Sequence, residues 1–465
     1  MSVALAALSS AVMFYLSQGL ADVWPLAWFA PVPLLWLAYG NSPRWQVYLA
    51  SLAAFAAGQA YVLQCYGRIL PPSVIAPLLL TMCATFPLAV LFSGEAQRRH
   101  RMFAALVAFP ALWTAIEYVI GLASPHGTFG ALGYAEVSFP AAIQVASLFG
   151  VHSVTFELCL AASAVALLMR RQWSAGAAGV CLCAPALIFG FLRLSEPQRR
   201  PIAVAALADA DSWHAEIRER TQASQIAAAR AYAAYIGRMS DVSVVAIPEG
   251  AIRMRASDQG AVLAPLAAAA RASKAMVVAG TFVASPPQNR AFAFLPDGEL
   301  ETYAKRHLLA PFETEKPGHT LGLLAGGYAV QICKDMDFPS SVRGTAEHGV
   351  RLMVVPANDF GKDGWIHARM AVMRGVENGF AVVRSAFNGL ETISDDRGRI
   401  LAKARTMSSG MVVASADVPP GPGPTLYTRI GDVLPWLCMA LSLLLGASLF
   451  GAKRSAGQAA RRSAG

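Results

Sequence analysis

Three short stretches of the chain hold residue types that could act together on an acyl group. VVAIPEGAI carries Glu249 behind an apolar run and a proline. YAKRHLLAPFE carries Lys305 at the end of a second expected strand, with His307 and Glu313 downstream. VQICKDMDFP carries Cys333 at the end of a third, with Asp335 two residues on. A thiol attacks poorly until a base removes its proton, and a neighbouring carboxylate can serve as that base. A lysine ammonium can steady the oxyanion of a tetrahedral intermediate. Each stretch alone is a weak signal. A carboxylate, an ammonium and a thiol presented from strand ends of one sheet form a coherent nucleophilic site.

Cysteine usage singles out Cys333. Cys65, Cys83, Cys159, Cys181, Cys183 and Cys438 fall in or at the ends of long apolar segments, which leaves Cys333 alone in the polar part of the chain. It has no partner there for an internal disulfide. A buried, inert cysteine is the plain alternative, and the Glu249 and Lys305 stretches weigh against it. Cys181 and Cys183 lie inside an apolar segment with no matching pair, so they are expected to face lipid or a helix. His307, His319, His348 and His367 are scattered and read as satisfied surface or core histidines. No metal site is expected.

The elements that would position these residues occupy about 200–425. Strands are expected at 202–208, 242–248, 275–283, 291–295, 300–304, 328–332, 352–356, 380–385, 391–395 and 411–416. Helices are expected at 214–239, 259–273, 340–349 and 364–378. Strands alternating with helices argue for a layered α/β domain.

The surroundings of that domain are of another kind. The 465 residues are 55% hydrophobic and 14% charged, against about 25% charged in an ordinary soluble domain. Mean hydropathy is +0.45. A disordered chain, a fibrous repeat and an ordinary cytosolic enzyme are excluded. Crossing a bilayer takes about 20 apolar residues as a helix. Seven such segments precede the polar part, at 3–20, 24–40, 47–64, 74–93, 103–122, 147–169 and 175–193, and an eighth follows at 432–451. The first lacks a basic leader and a small-residue cleavage site, so it reads as a retained span. The expected organisation is a seven-span transmembrane domain over 1–195, an inserted domain over 200–425, a last span over 432–451 and a basic tail over 452–465.

Charge then gives orientation. With a cytoplasmic N-terminus, the cytoplasmic loops and tail hold Arg44, Arg98, Arg99, Arg101, Arg170, Arg171, Lys453, Arg454, Arg461 and Arg462, opposed only by Glu95. The short loops on the other side contribute Arg68. This bias follows the positive-inside rule and places the α/β domain outside the cytoplasm. It also accounts for the whole net charge of +9, so nucleic-acid binding loses its support; the polar domain has no basic stripe with aromatics. Two carboxylates, Glu117 and Glu157, fall within spans. They either line a polar cavity or pair with a neighbouring helix. The stretch 123–146 is long for a connection and could form a re-entrant or interfacial segment.

Taken in order, the three motifs resemble the nitrilase or carbon–nitrogen hydrolase superfamily. The resemblance covers about 200–417 and includes ANDFGKDGW (357–365) and the run HARMAVMRGVENGFAVVRSAFNGLETISDDRGRI (367–400). It implies an αββα sandwich and a Glu–Lys–Cys triad of Glu249, Lys305 and Cys333, with Glu313 as a second supporting carboxylate and Asp335 in a further supporting place. In the membrane part, VWPLAWFAPVPLLWL, PALWTAIEYVIG, FGALGYAEV and TLYTRIGDVLPW are similar to bacterial apolipoprotein N-acyltransferases. That family implies a multi-pass protein of the bacterial plasma (inner) membrane with a periplasmic catalytic domain. Its reaction is ping-pong: a phospholipid donates an acyl chain to the cysteine, and the N-terminal amine of a diacylglyceryl lipoprotein accepts it. No metal or organic cofactor is implied, and a monomer is the default. The sequence departs from the family's pattern in three places. Lys334 and Asp335 follow the nucleophile where an aromatic residue and Glu are usual, Ile247 stands where Trp is frequent, and PFE lacks the family's glycine. Two other readings compete: a membrane-anchored amidase, in which water replaces the amine, and a non-catalytic membrane scaffold.

Overall fold

A computed structural model describes residues 1–211, 221–406 and 409–450. The expected basic tail and the first residues of the helix expected at 214–239 lie outside these. The chain divides into two compact units, Met1–Leu192 with Asp432–Gly465, and Arg193–Gly431.

Among the described residues, six helices are long and apolar enough to cross a membrane: Arg44–Tyr66, Pro72–Arg98, Met102–Ala123, Val151–Met169, Trp173–Ser195 and Val433–Phe450. Each falls on an expected span. The first two expected spans are shorter. Val3–Gln18 has 16 residues, about 24 Å at 1.5 Å per residue and below the ~30 Å of a hydrocarbon core. The second is broken into a 3-10 turn, Trp24–Trp28, and a helix, Val32–Ala38. Pro25, Pro31 and Pro33 remove the backbone donors that a continuous helix would need there.

The core of the first unit is aromatic. Phe55 stacks on Phe86 at 4.3 Å, and Trp113 meets Phe86 edge-on at 5.0 Å. Gly58 makes room for this cluster, because a Cβ there would stand 2.6 Å from that of Phe14. The stretch 123–146 folds into turns and short helices around Leu132–Glu136, all buried. Its non-helical backbone needs donors and acceptors from outside. The Leu132 N–H donates to Glu117 Oε2 at 2.8 Å and the Gly133 N–H to Thr155 Oγ1 at 3.0 Å.

The second unit is an αββα sandwich with two six-stranded sheets. The strands are β1 (Ile202–Asp209), β2 (Val244–Met254), β3 (Met276–Ala284), β4 (Pro287–Phe294), β5 (Leu300–Ala304), β6 (Leu323–Leu324), β7 (Tyr328–Val330), β8 (Leu352–Asn358), β9 (Ala381–Phe387), β10 (Leu390–Ser394), β11 (Ile400–Arg405) and β12 (Met411–Val418). One sheet runs β12-β1-β2-β3-β4-β5 and the other β11-β10-β9-β8-β7-β6. Alternation along each strand divides the core into three layers. In β2, Val244 and Ala246 face the opposite sheet, while Val245 and Ile247 pack with the helices Gln222–Ile236 and Gln259–Ser273. In β8, Leu352 and Val354 face inward, while Met353 and Val355 pack under Pro339–Ala346 and Gly364–Asn378. Central strands buried on both faces explain the unbroken apolar runs in the sequence. β6 and β11 were not expected. β11 is an edge strand whose inward residues include only small Ala402 and Ala404, too weak a pattern to stand out.

Candidate active site

Glu249 lies where β2 stops pairing regularly with β3: the register breaks between Ile247 and Ile252. Two glycines shape this break. Gly250 has φ +67°. A Cβ on Gly280 would stand 2.5 Å from the Glu249 Cα, so only glycine lets the backbone carrying Glu249 approach β3. Lys305 follows β5, and its N–H donates to the Asn289 carbonyl on β4 at 2.9 Å. Its ammonium is buried and donates to Glu249 Oε1 at 2.7 Å and to both Glu313 oxygens at 2.9 and 2.8 Å. The Asn289 amide donates to the same two carboxylates, at 2.6 and 2.7 Å. Glu313 also accepts from the Leu309 N–H at 2.6 Å.

Cys333 opens a tight turn, Cys333–Asp337, at the end of β7. Its φ is +45°, in the left-handed region that costs a non-glycine residue about 1–3 kcal/mol. The half-buried thiol lies 3.7 Å from the Asn358 carbonyl oxygen at the end of β8.

Asp335 is fully buried and fastens this turn to the Lys305 segment. It accepts from the Arg306 N–H at 3.2 Å, the His307 N–H at 2.8 Å and the Tyr303 hydroxyl at 2.7 Å. It also caps its own turn through the Ile332 N–H at 3.1 Å. Asp337 fastens the other flank. It pairs with Lys334 at 3.5 Å, and His367 on the helix Gly364–Asn378 stands between Asp337 at 3.8 Å and Asp363 at 3.3 Å. Lys334, the residue that departs from the family's pattern, is therefore buried against Asp337 rather than Asp335.

The electrostatics follow from burial and from these neighbours. Burial would lower the Lys305 pKa, but Glu249 and Glu313 outweigh it and hold the ammonium well above the ordinary lysine value. Burial raises the Glu249 carboxyl above its usual range; Lys305 pulls it back and Glu313 pushes it further up. Burial and the Glu249 charge push the Cys333 thiol up, against the opposing pull of Lys305 and Arg384. Glu249 and Lys305 act on the Cys333 thiol in opposite senses.

The structure thus gathers Glu249, Lys305, Glu313 and Cys333, with Asp335 in the turn that Cys333 opens. His307 is held at Asp335 (3.0 Å) and stacks on Phe338. His319 and His348 are exposed. Asn289, Tyr303, Asp337 and His367 were missed as parts of the site. Asn289 gave no signal of its own, because it stands between Gln288 and Arg290 in the polar first half of β4, ahead of the strand expected at 291–295. Phe312, 50% exposed, meets Phe360 at 5.8 Å and adds an apolar pair next to Glu313 and Asp359. Among the described residues no three His, Cys, Asp or Glu side chains are arranged to hold a metal ion.

The profile of the apolipoprotein N-acyltransferase N-terminal domain matches residues 10–164, and that of the carbon-nitrogen hydrolases matches 203–420. Among curated relatives, the apolipoprotein N-acyltransferase of Geobacter metallireducens is 27% identical over 96% of this chain and 95% of its own length. That of Vibrio cholerae is 26% identical over 90% of this chain and 92% of its own. Among solved structures, Saccharomyces cerevisiae Nit3, a member of the nitrilase superfamily, aligns with a TM-score of 0.40 and 22% identity, covering 49% of this chain and 93% of Nit3.

Proposed function

We propose, from the premise that the chain belongs to the apolipoprotein N-acyltransferase family, that it moves an acyl chain from a phospholipid to the N-terminal α-amine of a diacylglyceryl lipoprotein. The transfer proceeds in two steps through a thioester on Cys333. Both hydrogen bonds to the Glu249 carboxylate fall on Oε1, so Oε2 takes the proton of Cys333. The thiolate adds to the ester carbonyl, and Lys305 holds the oxyanion. Collapse expels the lysophospholipid oxygen, which leaves with the proton from Glu249. The acceptor amine then adds to the thioester, Glu249 takes its proton, and collapse to the amide releases the cysteine sulfur, which recovers that proton. Glu313 and Asn289 keep Lys305 and Glu249 aligned; Asp335 positions the nucleophile turn. The exposed Phe312–Phe360 pair offers apolar contact to an acyl chain.

The observation that carries this reading is the Lys305 ammonium held between Glu249 and Glu313 beside Cys333. The catalytic domain is assigned to 200–425, the transmembrane domain to 1–195, the last span to 432–451 and a basic cytoplasmic tail to 452–465. The arginine-rich span ends support a periplasmic catalytic domain in the bacterial inner membrane, and the chain acts as a monomer.

The test is expression in cells depleted of their own N-acyltransferase, with lipoprotein N-termini read by mass spectrometry. Triacylated N-termini are expected with the wild-type chain, and diacylated ones throughout would sink the proposal. Cys333→Ala removes the proposed nucleophile and lowers transfer by about 10⁴-fold or more; retained activity would move the nucleophile elsewhere. Incubation with phospholipid should leave a hydroxylamine-sensitive acyl adduct on Cys333.

A further inference from the structure

A cavity of about 600 Å³ opens at the arginine-rich end of the membrane unit, lined by Tyr39, Asn41, Ser42, Arg44, Gln97, Arg98 and His100 among others. Its volume falls in the ordinary range of ligand sites. Its lining is rich in hydrogen-bond donors and contains no carboxylate. Glu95, the nearby acid, is buried and already shared by Arg44 and by Arg99, the latter at 2.8 Å. Arg98 donates to the neutral Ser42 carbonyl at 2.9 Å; it feels the Glu95 charge only beside the like charge of Arg44. The helix Arg44–Gly58 begins at the same place, capped by Pro43 without a side-chain bond, so its first N–H groups add positive potential. Trp45 and Phe103 are exposed to 64% and 60%, as aromatic side chains are at the level of lipid head groups.

We propose that this cavity binds the phosphodiester head group of an anionic glycerophospholipid. Arg44, Arg98 and Arg99 share the single carboxylate of Glu95, so the surplus positive charge of Arg44 and Arg98 meets the phosphate charge, and the neutral donors Asn41, Ser42 and Gln97 complete its hydrogen bonds. A zwitterionic head group fits less well, because no lining carboxylate receives its ammonium. The site is separate from the proposed acyl transfer, whose residues belong to the other unit, and it stands whether or not that transfer is correct.

The test uses the full chain in a non-ionic detergent, stripped of lipid. Phosphatidylglycerol, phosphatidylcholine and inorganic phosphate are offered separately and retention is read by native mass spectrometry. Phosphatidylglycerol should be retained about ten-fold over phosphatidylcholine. Gln97→Glu places a carboxylate in the lining without removing an arginine, and should lower that retention about five-fold with unchanged thermal unfolding. Arg98→Gln should lower it to a similar degree, whereas Arg171→Gln, outside the lining, should match wild type. Equal retention of the two lipids, or wild-type retention in Gln97→Glu, overturns the proposal. Displacement of phosphatidylglycerol by millimolar inorganic phosphate would make this a free-anion site and overturn the lipid assignment.

Discussion

Glu249 in the sandwich and Glu117 in the membrane unit are the same side chain under nearly the same burial, 3% and 5% exposed, and they are used in opposite ways. Glu117 lies on the helix Met102–Ala123 and spreads its bonds over both oxygens. Oε2 takes the Leu132 N–H, and Oε1 takes the Thr155 hydroxyl at 2.7 Å and faces His152 Nδ1 at 3.3 Å. These partners sit on the neighbouring helix Val151–Met169 and on the irregular stretch after Ala123, so the carboxylate joins pieces of backbone. Of the two roles the sequence left open for Glu117, pairing with a neighbouring helix is the one the structure displays. Glu249 instead receives both bonds on one oxygen, from the Asn289 amide and from a lysine that a second carboxylate also holds. A carboxylate saturated on both sides fastens; one saturated on a single side, next to a thiol, can exchange a proton.

Glu249→Gln should show the largest consequence of that difference. Loss of a general base lowers kcat by about 10²–10⁴-fold, read as acyl transfer from phospholipid to a lipopeptide, with near-wild-type thermal unfolding. The tuning of Glu249 can be moved in both directions. Glu313 raises its pKa and Asn289 lowers it. The acid limb of kcat/KM should therefore shift to lower pH in Glu313→Gln and to higher pH in Asn289→Leu, with about ten-fold lower activity in the latter. Shifts of the same sign would show that the two residues act on something other than Glu249.

His367→Gln should cost only a few-fold in activity, because it acts through the turn and touches no substrate, but its effect on stability depends on pH. Burial would lower the His367 pKa; Asp337 and Asp363 overcome this and raise it from 6.5 to about 10. A folded-state pKa above the unfolded one stabilises fully below the unfolded value. The stability difference between wild type and variant should be constant below pH 6.5 and vanish as pH rises through about 10, as denaturant titration in detergent would record.

Glu117→Gln should be the mildest in catalysis, within about two-fold of wild type, while lowering Tm by about 2–4 °C. A loss of turnover as deep as that of Glu249→Gln would break the contrast between the two carboxylates.

What could be read from the sequence follows the range of the interactions. Lys305 ends the edge strand β5, whose LETYA is mixed and partly exposed, and stands out only by its spacing to Glu313. Glu249 and Cys333 stand out because each ends an apolar run, and those runs are visible because strands inside the sheets are buried on both faces. The six long helices show for the same reason: their composition is local. Asn289 meets Glu249 and Lys305 only through the antiparallel register of β4 and β5, in which Arg290 lies opposite Ala304. His367 reaches Asp337 only because its helix packs beside the Cys333–Asp337 turn, so the histidine looked like any other in a helical pattern. The break in the second apolar segment depends on three prolines that composition alone does not weigh.

The left-handed backbone at Cys333 has a consequence for how this chain can change. Glycine would occupy φ +45° with less strain than any side chain, so Cys333→Gly should relax the turn while removing the sulfur. At this position, selection for durability alone would discard the thiol, and a catalytically dead descendant could outlast its active parent.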